Sequence, residues 1–325
     1  MASSTLSSGE PGSIRLWFAS RTILAAAGKL FFANWKNASQ RLEEEQLHDL
    51  RVASRRLREG LTLFKTCFSK DEVRKLSKRV RRVTRALGPV RNADEAHLFF
   101  SELKEGQALA EKAVLDELLT GLEQERELAR SELATTLRHP RELRQTARLA
   151  GALQSGFNLF RDQQTNPFLG FRAFAGEALA ERAELLAELV PAAMNEEAPL
   201  AQHRLRIAVK KLRYRVEIME PQLQPLGALK DKLKSYQDVL GKLHDLDVFS
   251  GMVRERVADG PGKEDLLGVI DLQRRELFGR FLELLKSMPL AALPEEVRLL
   301  FPPPRRPGPS GSRQSRGRPL PRRKG

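Results

Sequence analysis

The 325-residue sequence contains one cysteine, Cys67. A single thiol excludes an internal disulfide framework and a cysteine-based zinc site. It also suits a reducing compartment, so the expectation is a cytoplasmic rather than a secreted protein. Aromatic residues are scarce too, at 6% of the chain, which leaves little to stack on nucleic-acid bases. A membrane span needs about 20 apolar residues. The most apolar early stretch, Ile14 to Trp35, is interrupted by Arg15, Arg21 and Lys29 and reads as an amphipathic helix, so no membrane association is expected. No window alternates apolar and polar residues as a half-buried strand would. Catalytic signatures are also missing. No H-x-x-x-H, H-E-x-x-H or Cys-His spacing offers a metal site, and no glycine loop leads into Lys and Ser or Thr to cradle a nucleotide. Glu43, Glu44 and Glu45 are consecutive, so on a helix they diverge by about 100° each and cannot jointly chelate a divalent ion for phosphoryl transfer. The expectation is a non-enzyme with no cofactor and no catalytic or metal-binding residue.

Helix formers and positive charge are what the chain has in abundance. Lys and Arg number 56 against 42 acidic residues, for a net charge of +14, on a globular composition of 41% hydrophobic and 30% charged residues. Such an excess attracts anionic partners. It is unevenly spread: residues 302–325 hold eight of the cations and no acid, leaving +6 on the rest. With seven Pro and four Gly, that tail buries too little to repay its ordering. The sequence therefore predicts a disordered basic tail over 301–325, with nonspecific affinity for polyanions including nucleic acid, and a disordered leader over 1–13.

Between them, apolar residues recur at three and four positions. This spacing predicts an all-α fold with helices over 14–37, 46–68, 71–88, 91–104, 107–138, 140–160, 170–190, 199–220, 227–242, 244–258 and 264–287. Breaks are expected at Gly88-Pro89, His139-Pro140, Asn166-Pro167, Pro191, Pro221, Pro225, Gly260-Pro261-Gly262 and Pro289.

One segment occurs twice. Residues 48–58, HDLRVASRRLR, match residues 203–213, HRLRIAVKKLR, at a constant offset of 155. Further on, Val80 to Gly88 aligns with Leu233 to Gly241, and Asp94 with Asp247, at an offset of 153. The chain reads as two copies of one helical unit.

On a helical wheel His48, Arg51, Arg55 and Arg58 project within an arc of about 80°, while Leu50, Ala53, Leu57, Leu61 and Phe64 occupy the opposite face. His203, Arg206, Lys210 and Arg213 repeat the cationic stripe, against Leu205, Ala208, Leu212, Val216 and Met219. Arg56 and Lys211 lie to one side. Neighbouring cations repel, yet within these windows the only acid is Asp49, off the stripe. The sequence thus predicts two uncompensated basic faces suited to a linear anion with repeating charge, with Arg supplying forked, charge-assisted hydrogen bonds to phosphate. Arg81 and Lys234, and Arg91 and His244 after the glycines, are candidates to extend the surface. Asp94 and Asp247 are expected to cap a helix or pair with an arginine.

With these residues laid out, the chain resembles the CHAD family, the conserved histidine alpha-helical domain. The likeness lies in that family's H-x-L-R-V-A-x-R-R-L-R helix at His48 to Arg58 and its second-half version at His203 to Tyr214. It extends to the L-G-x-x-R-D-x-D turn at Leu87 to Asp94 and at Leu240 to Asp247, and covers roughly residues 14–290. Asn92 replaces an Asp of that turn, and His244 stands where the first half has Arg91. The resemblance implies two pseudo-symmetric bundles of about four helices each, over 14–165 and 166–300, and a basic surface or channel that binds inorganic polyphosphate. Its site set would be His48, Arg51, Arg55, Arg56, Arg58, Arg81, Arg91, His203, Arg206, Lys210, Lys211, Arg213, Lys234 and His244. A monomer, associated with polyphosphate granules, is the further expectation. Nucleic-acid binding is the alternative, disfavoured because the first stripe contains no aromatic residue and only Tyr214 borders the second.

Overall fold

A computed structural model describes residues 14–105, 109–139, 169–223 and 226–302. The expected leader, the helix at 140–160, the boundary between the halves and the tail beyond 302 lie outside the described residues. Within them there are nine α-helices and no strand: α1 (Leu16–Gln40), α2 (Glu44–Leu63), α3 (Lys70–Glu105), α4 (Leu109–Arg138), α5 (Phe171–Ala193), α6 (Pro199–Met219), α7 (Gly227–Arg256), α8 (Pro261–Ser287) and α9 (Leu293–Leu300). The fold is all-α, as expected.

Three expected interruptions are absent: α5 passes through Pro191 to end at Ala193, and two pairs of expected helices are each one helix. α3 runs unbroken through Gly88 and Pro89, and α7 through Gly241. A proline inside a helix forfeits one backbone hydrogen bond. The helix continues because its buried stripe does: Leu76, Val80, Val83, Leu87, Val90, Ala93, Ala96 and Phe100 stay in register on one face. In α7 the stripe Leu229, Leu233, Tyr236, Leu240, Leu243, Leu246 and Phe249 does the same. The short α9 was not expected, being only 8 residues long, too few to show a period; it is held by buried Leu293 and Val297.

α1 through α4 pack each on the next, as do α5 through α8, and the two series meet where α2 lies against α6. At the start, Leu16 N–H donates to Leu169 O (2.9 Å) and Phe171 N–H to Ile14 O (2.8 Å), so α1 and α5 begin side by side. The two series do not have separate cores: one cluster draws buried side chains from all nine helices. A second cluster joins the far ends of α3 and α4 to those of α7 and α8, with Phe99 and Phe249 stacked at 4.5 Å. By length and composition α1 is apolar enough to cross a membrane, contrary to the sequence reading. Here Leu16, Ile23, Leu24, Phe31 and Trp35 are in the core, each such burial stabilising by about 1.5–3 kcal/mol. Trp35 Nε1 donates to Leu137 O at 3.0 Å, tying α1 to the end of α4.

Candidate functional site

The wheel positions assigned to the core are in the core. Leu50, Ala53, Leu57, Leu61 and Phe64 are buried, as are Leu205, Leu212, Val216 and Met219, while Ala208 is partly so. That anchoring turns the opposite, cationic faces of α2 and α6 outward from the core and toward a shared space. A cavity of about 470 Å³ opens there, walled by α2 (His48, Arg51, Arg55, Arg56), α3 (Arg91), α6 (Arg206, Lys210, Arg213, Tyr214, Glu217) and α7 (Gln237, Lys242, Asp245). A second cavity, also about 470 Å³, is lined by Arg58, Thr62, Ser77, Arg81, Arg182 and Lys211. Arg55, Arg206, Lys210 and Tyr214 belong to both. The two are therefore chambers of one basic groove on either side of a common wall. A larger cavity, about 640 Å³, lies apart, where Glu196, Asp247 and Asp271 face Arg254 and Arg274. Its mixed charge gives a polyanion no net attraction, so the matched stripes mark the better site despite their smaller volume.

The stripes are not wholly uncompensated, which corrects the sequence reading. Glu217, four residues beyond Arg213, accepts a hydrogen bond from Arg56 Nε at 2.8 Å and forms an ion pair with Arg213, whose Nε lies 2.8 Å away. Glu95 lies 2.5 Å from Arg91, and Asp245 is 4.0 Å from Arg91 and 3.8 Å from Arg206. Glu95 and Asp245 sit on other helices, where the wheel could not reveal them, and Glu217 lies just outside the second window. Among the described residues, Arg51, Arg55, Arg58, Arg81, Lys210 and Lys211 have no carboxylate within 4 Å.

The cost of this crowding falls on the innermost groups. Burial, reinforced by Arg206, Arg55, Arg91 and Arg51, pushes the Lys210 ammonium down to about 6. Burial and then Arg91 and Arg55 push Arg51 down to about 10. Arg206 is also lowered, by burial first, against the pull of Asp245. Its side chain is 8% exposed, and its Nε has no hydrogen-bond partner. A buried donor left open is costly unless something accepts from it, so the wall between the chambers is poised for an anion. Gln237 Oε1 is likewise buried and unpartnered.

Not every candidate reaches the groove. His48 lines the first chamber and is exposed. His203 and His244 line neither chamber; they face each other, Nδ1 to Nδ1 at 3.1 Å. One must donate and the other accept, so a charge on both is excluded by geometry. Burial, then Arg206, holds His244 down at about 4, and His203 is lowered for the same reasons. Lys234 is exposed and also lines neither chamber. Asp94 accepts from Arg126 (2.6 Å) and Arg130 (3.3 Å), and Asp247 from Arg274 (2.6 Å), so both pair with arginines of the next helix. Among the described residues no three His, Cys, Asp or Glu side chains converge as for a metal.

The family model described as the CHAD domain matches residues 22–254. The chain belongs to the CHAD domain family. That family is related to polyphosphate. Two solved CHAD-like structures share the fold. The CHAD domain from the plant Ricinus communis aligns with a TM-score of 0.59 at 22% identity, covering 89% of this chain and 92% of that one. PptA from Streptomyces chartreusis aligns with a TM-score of 0.63 at 16% identity, covering 84% and 99%. No curated protein matches the sequence. The match takes in both CHAD motif helices, α2 and α6, and stops before α8 and α9.

Arg182 and Lys242 are groove-lining cations that sequence reasoning missed. Arg182 is the lone cation in an α5 stretch carrying Glu177, Glu181, Glu184 and Glu188, and no periodicity distinguishes it from a solvated charge. Glu217 was within reach of the wheel, one turn past Arg213.

Proposed function

We propose that this CHAD protein binds inorganic polyphosphate without catalysing its turnover, and that its two helical series are copies of one unit, each contributing one wall of the groove. One observation carries the reading: Arg51 and Arg55 from the first motif and Arg206 and Lys210 from the second converge on one cavity. Three of those four have no carboxylate within 4 Å. Cations so arranged repel one another and are stabilised only when a multivalent anion enters. A phosphate chain offers an acceptor for every donor and needs no base recognition, and Tyr214 is the single Phe, Tyr or Trp side chain in either chamber.

The test is calorimetric titration with long-chain polyphosphate at near-physiological salt, with single-stranded DNA and heparin as competitors. Tight binding that neither competitor displaces is the expected result. Equal displacement by all polyanions would reduce the groove to a generic basic surface and bring nucleic acid forward. Replacing Arg51, Arg55, Arg206 and Lys210 together by Ala should abolish the competitor-resistant binding while leaving the circular-dichroism spectrum helical; unchanged affinity would remove the site assignment.

A further inference from the structure

The second chamber has a residue that neither motif supplies. Arg182 projects from α5, and its Nε is buried without a hydrogen-bond partner. Among the described residues no carboxylate lies within 4 Å of its guanidinium, although its own helix is acidic. It shares this chamber with Arg58 and Arg81, which are equally unpaired. The partition from the first chamber is formed by Arg55, Arg206, Lys210 and Tyr214, so a phosphate chain crossing it passes three cations; the carboxylate in the second chamber's lining, Glu59, accepts from Arg215 Nε at 2.7 Å. From His48 to Thr62 the two chambers follow α2 for about 21 Å at 1.5 Å per residue. A short phosphate can satisfy one chamber at a time; only a longer chain can engage both at once.

We propose that the chamber beside Arg182 is a second subsite of the same groove, and that Arg182 gives the protein a preference for long phosphate chains over short ones. This rests on the polyphosphate reading above. Engaging both chambers makes the second contact intramolecular, so long chains gain affinity from Arg182 that short ones do not. The guanidinium offers an open donor with no carboxylate within 4 Å among the described residues, so little reorganisation precedes contact.

The experiment compares inorganic triphosphate with long-chain polyphosphate, titrated into the full chain and into its Arg182→Met and Arg182→Lys variants. Met keeps the aliphatic stem while removing the charge. The expected result is a fall in long-chain affinity of about tenfold in Arg182→Met, the loss of one charge-assisted contact, with triphosphate affinity changed far less and partial recovery in Arg182→Lys. The ratio of the two affinities is the readout, because a purely structural role would lower both together. An unchanged ratio in Arg182→Met, whether both affinities fall or neither does, overturns the proposal while leaving polyphosphate binding in place. If the unmodified protein binds neither phosphate, the proposed function itself fails, and this inference with it.

Discussion

Lys210 stands where the groove's electrostatics are most strained, with Arg51 and Arg55 from α2, Arg91 from α3 and Arg206 from α6 acting on it. Its ordinary value is 10.5, and burial with these neighbours brings it to about 6. Between those values the unfolded chain holds a proton that the folded, empty protein does not, so the stability of the empty protein rises with pH across the window. A bound polyanion acts in the opposite sense: it favours the ammonium, takes up a proton on entering, and therefore binds more weakly as pH rises from 6 toward 9. Long-chain polyphosphate affinity should fall by up to about tenfold per pH unit across that range, a long chain being chosen so that its terminal phosphates contribute little. Lys210→Arg, charged throughout, should bind with a much flatter profile. Calorimetry in buffers of different ionisation enthalpy measures the proton directly, and buffer-independent heats at pH 8 would show that Lys210 is already charged in the empty groove.

At the scale of the helices, α2 and α6 must be held together before their cationic faces can meet. Arg215 of α6 donates from Nε to Glu59 Oε1 of α2 at 2.7 Å and from a terminal nitrogen to Ala178 O of α5 at 3.0 Å. The pair is 5% and 11% exposed, so removing one partner leaves a buried charge. Glu59→Ala should cost about 3–5 kcal/mol in urea unfolding, whereas Glu59→Leu with Arg215→Met should regain most of that. A loss under about 1 kcal/mol would mean that water reaches the pair. How much of this was legible in the sequence depends on the range of each interaction. The core stripes of α2 and α6 were readable because burial follows the helical period. The joins at Pro89 and Gly241 were misread because breaker residues act locally while the buried stripe runs on past them. The His203–His244 contact spans 41 residues and the Arg215–Glu59 pair 156; no wheel or spacing rule reaches that far. Arg182 carried no signal at all, since a lone arginine among glutamates on a helix reads as a solvated charge.

For the molecule as a whole, charge is divided between two kinds of surface. The groove concentrates cations from α2, α3, α5 and α6 at positions set by the core, whereas eight cations of the terminal stretch 302–325 are interspersed with Pro and Gly. Each phosphate neutralised releases a condensed counterion, with a salt slope of about −0.7 per contact for single-stranded polyanions. About six contacts in the groove would thus weaken binding by about 2.5 orders of magnitude between 50 and 200 mM salt. Deleting residues 302–325 removes eight cations and none of the residues that line the groove. Polyphosphate should therefore keep most of its affinity and slope, while single-stranded DNA, which depends more on diffuse attraction, should lose affinity and show a shallower slope. Measuring both slopes on the full and shortened chains separates the two surfaces. If deletion lowers affinity for the two polymers equally, long-range attraction by the tail dominates and the groove selects nothing.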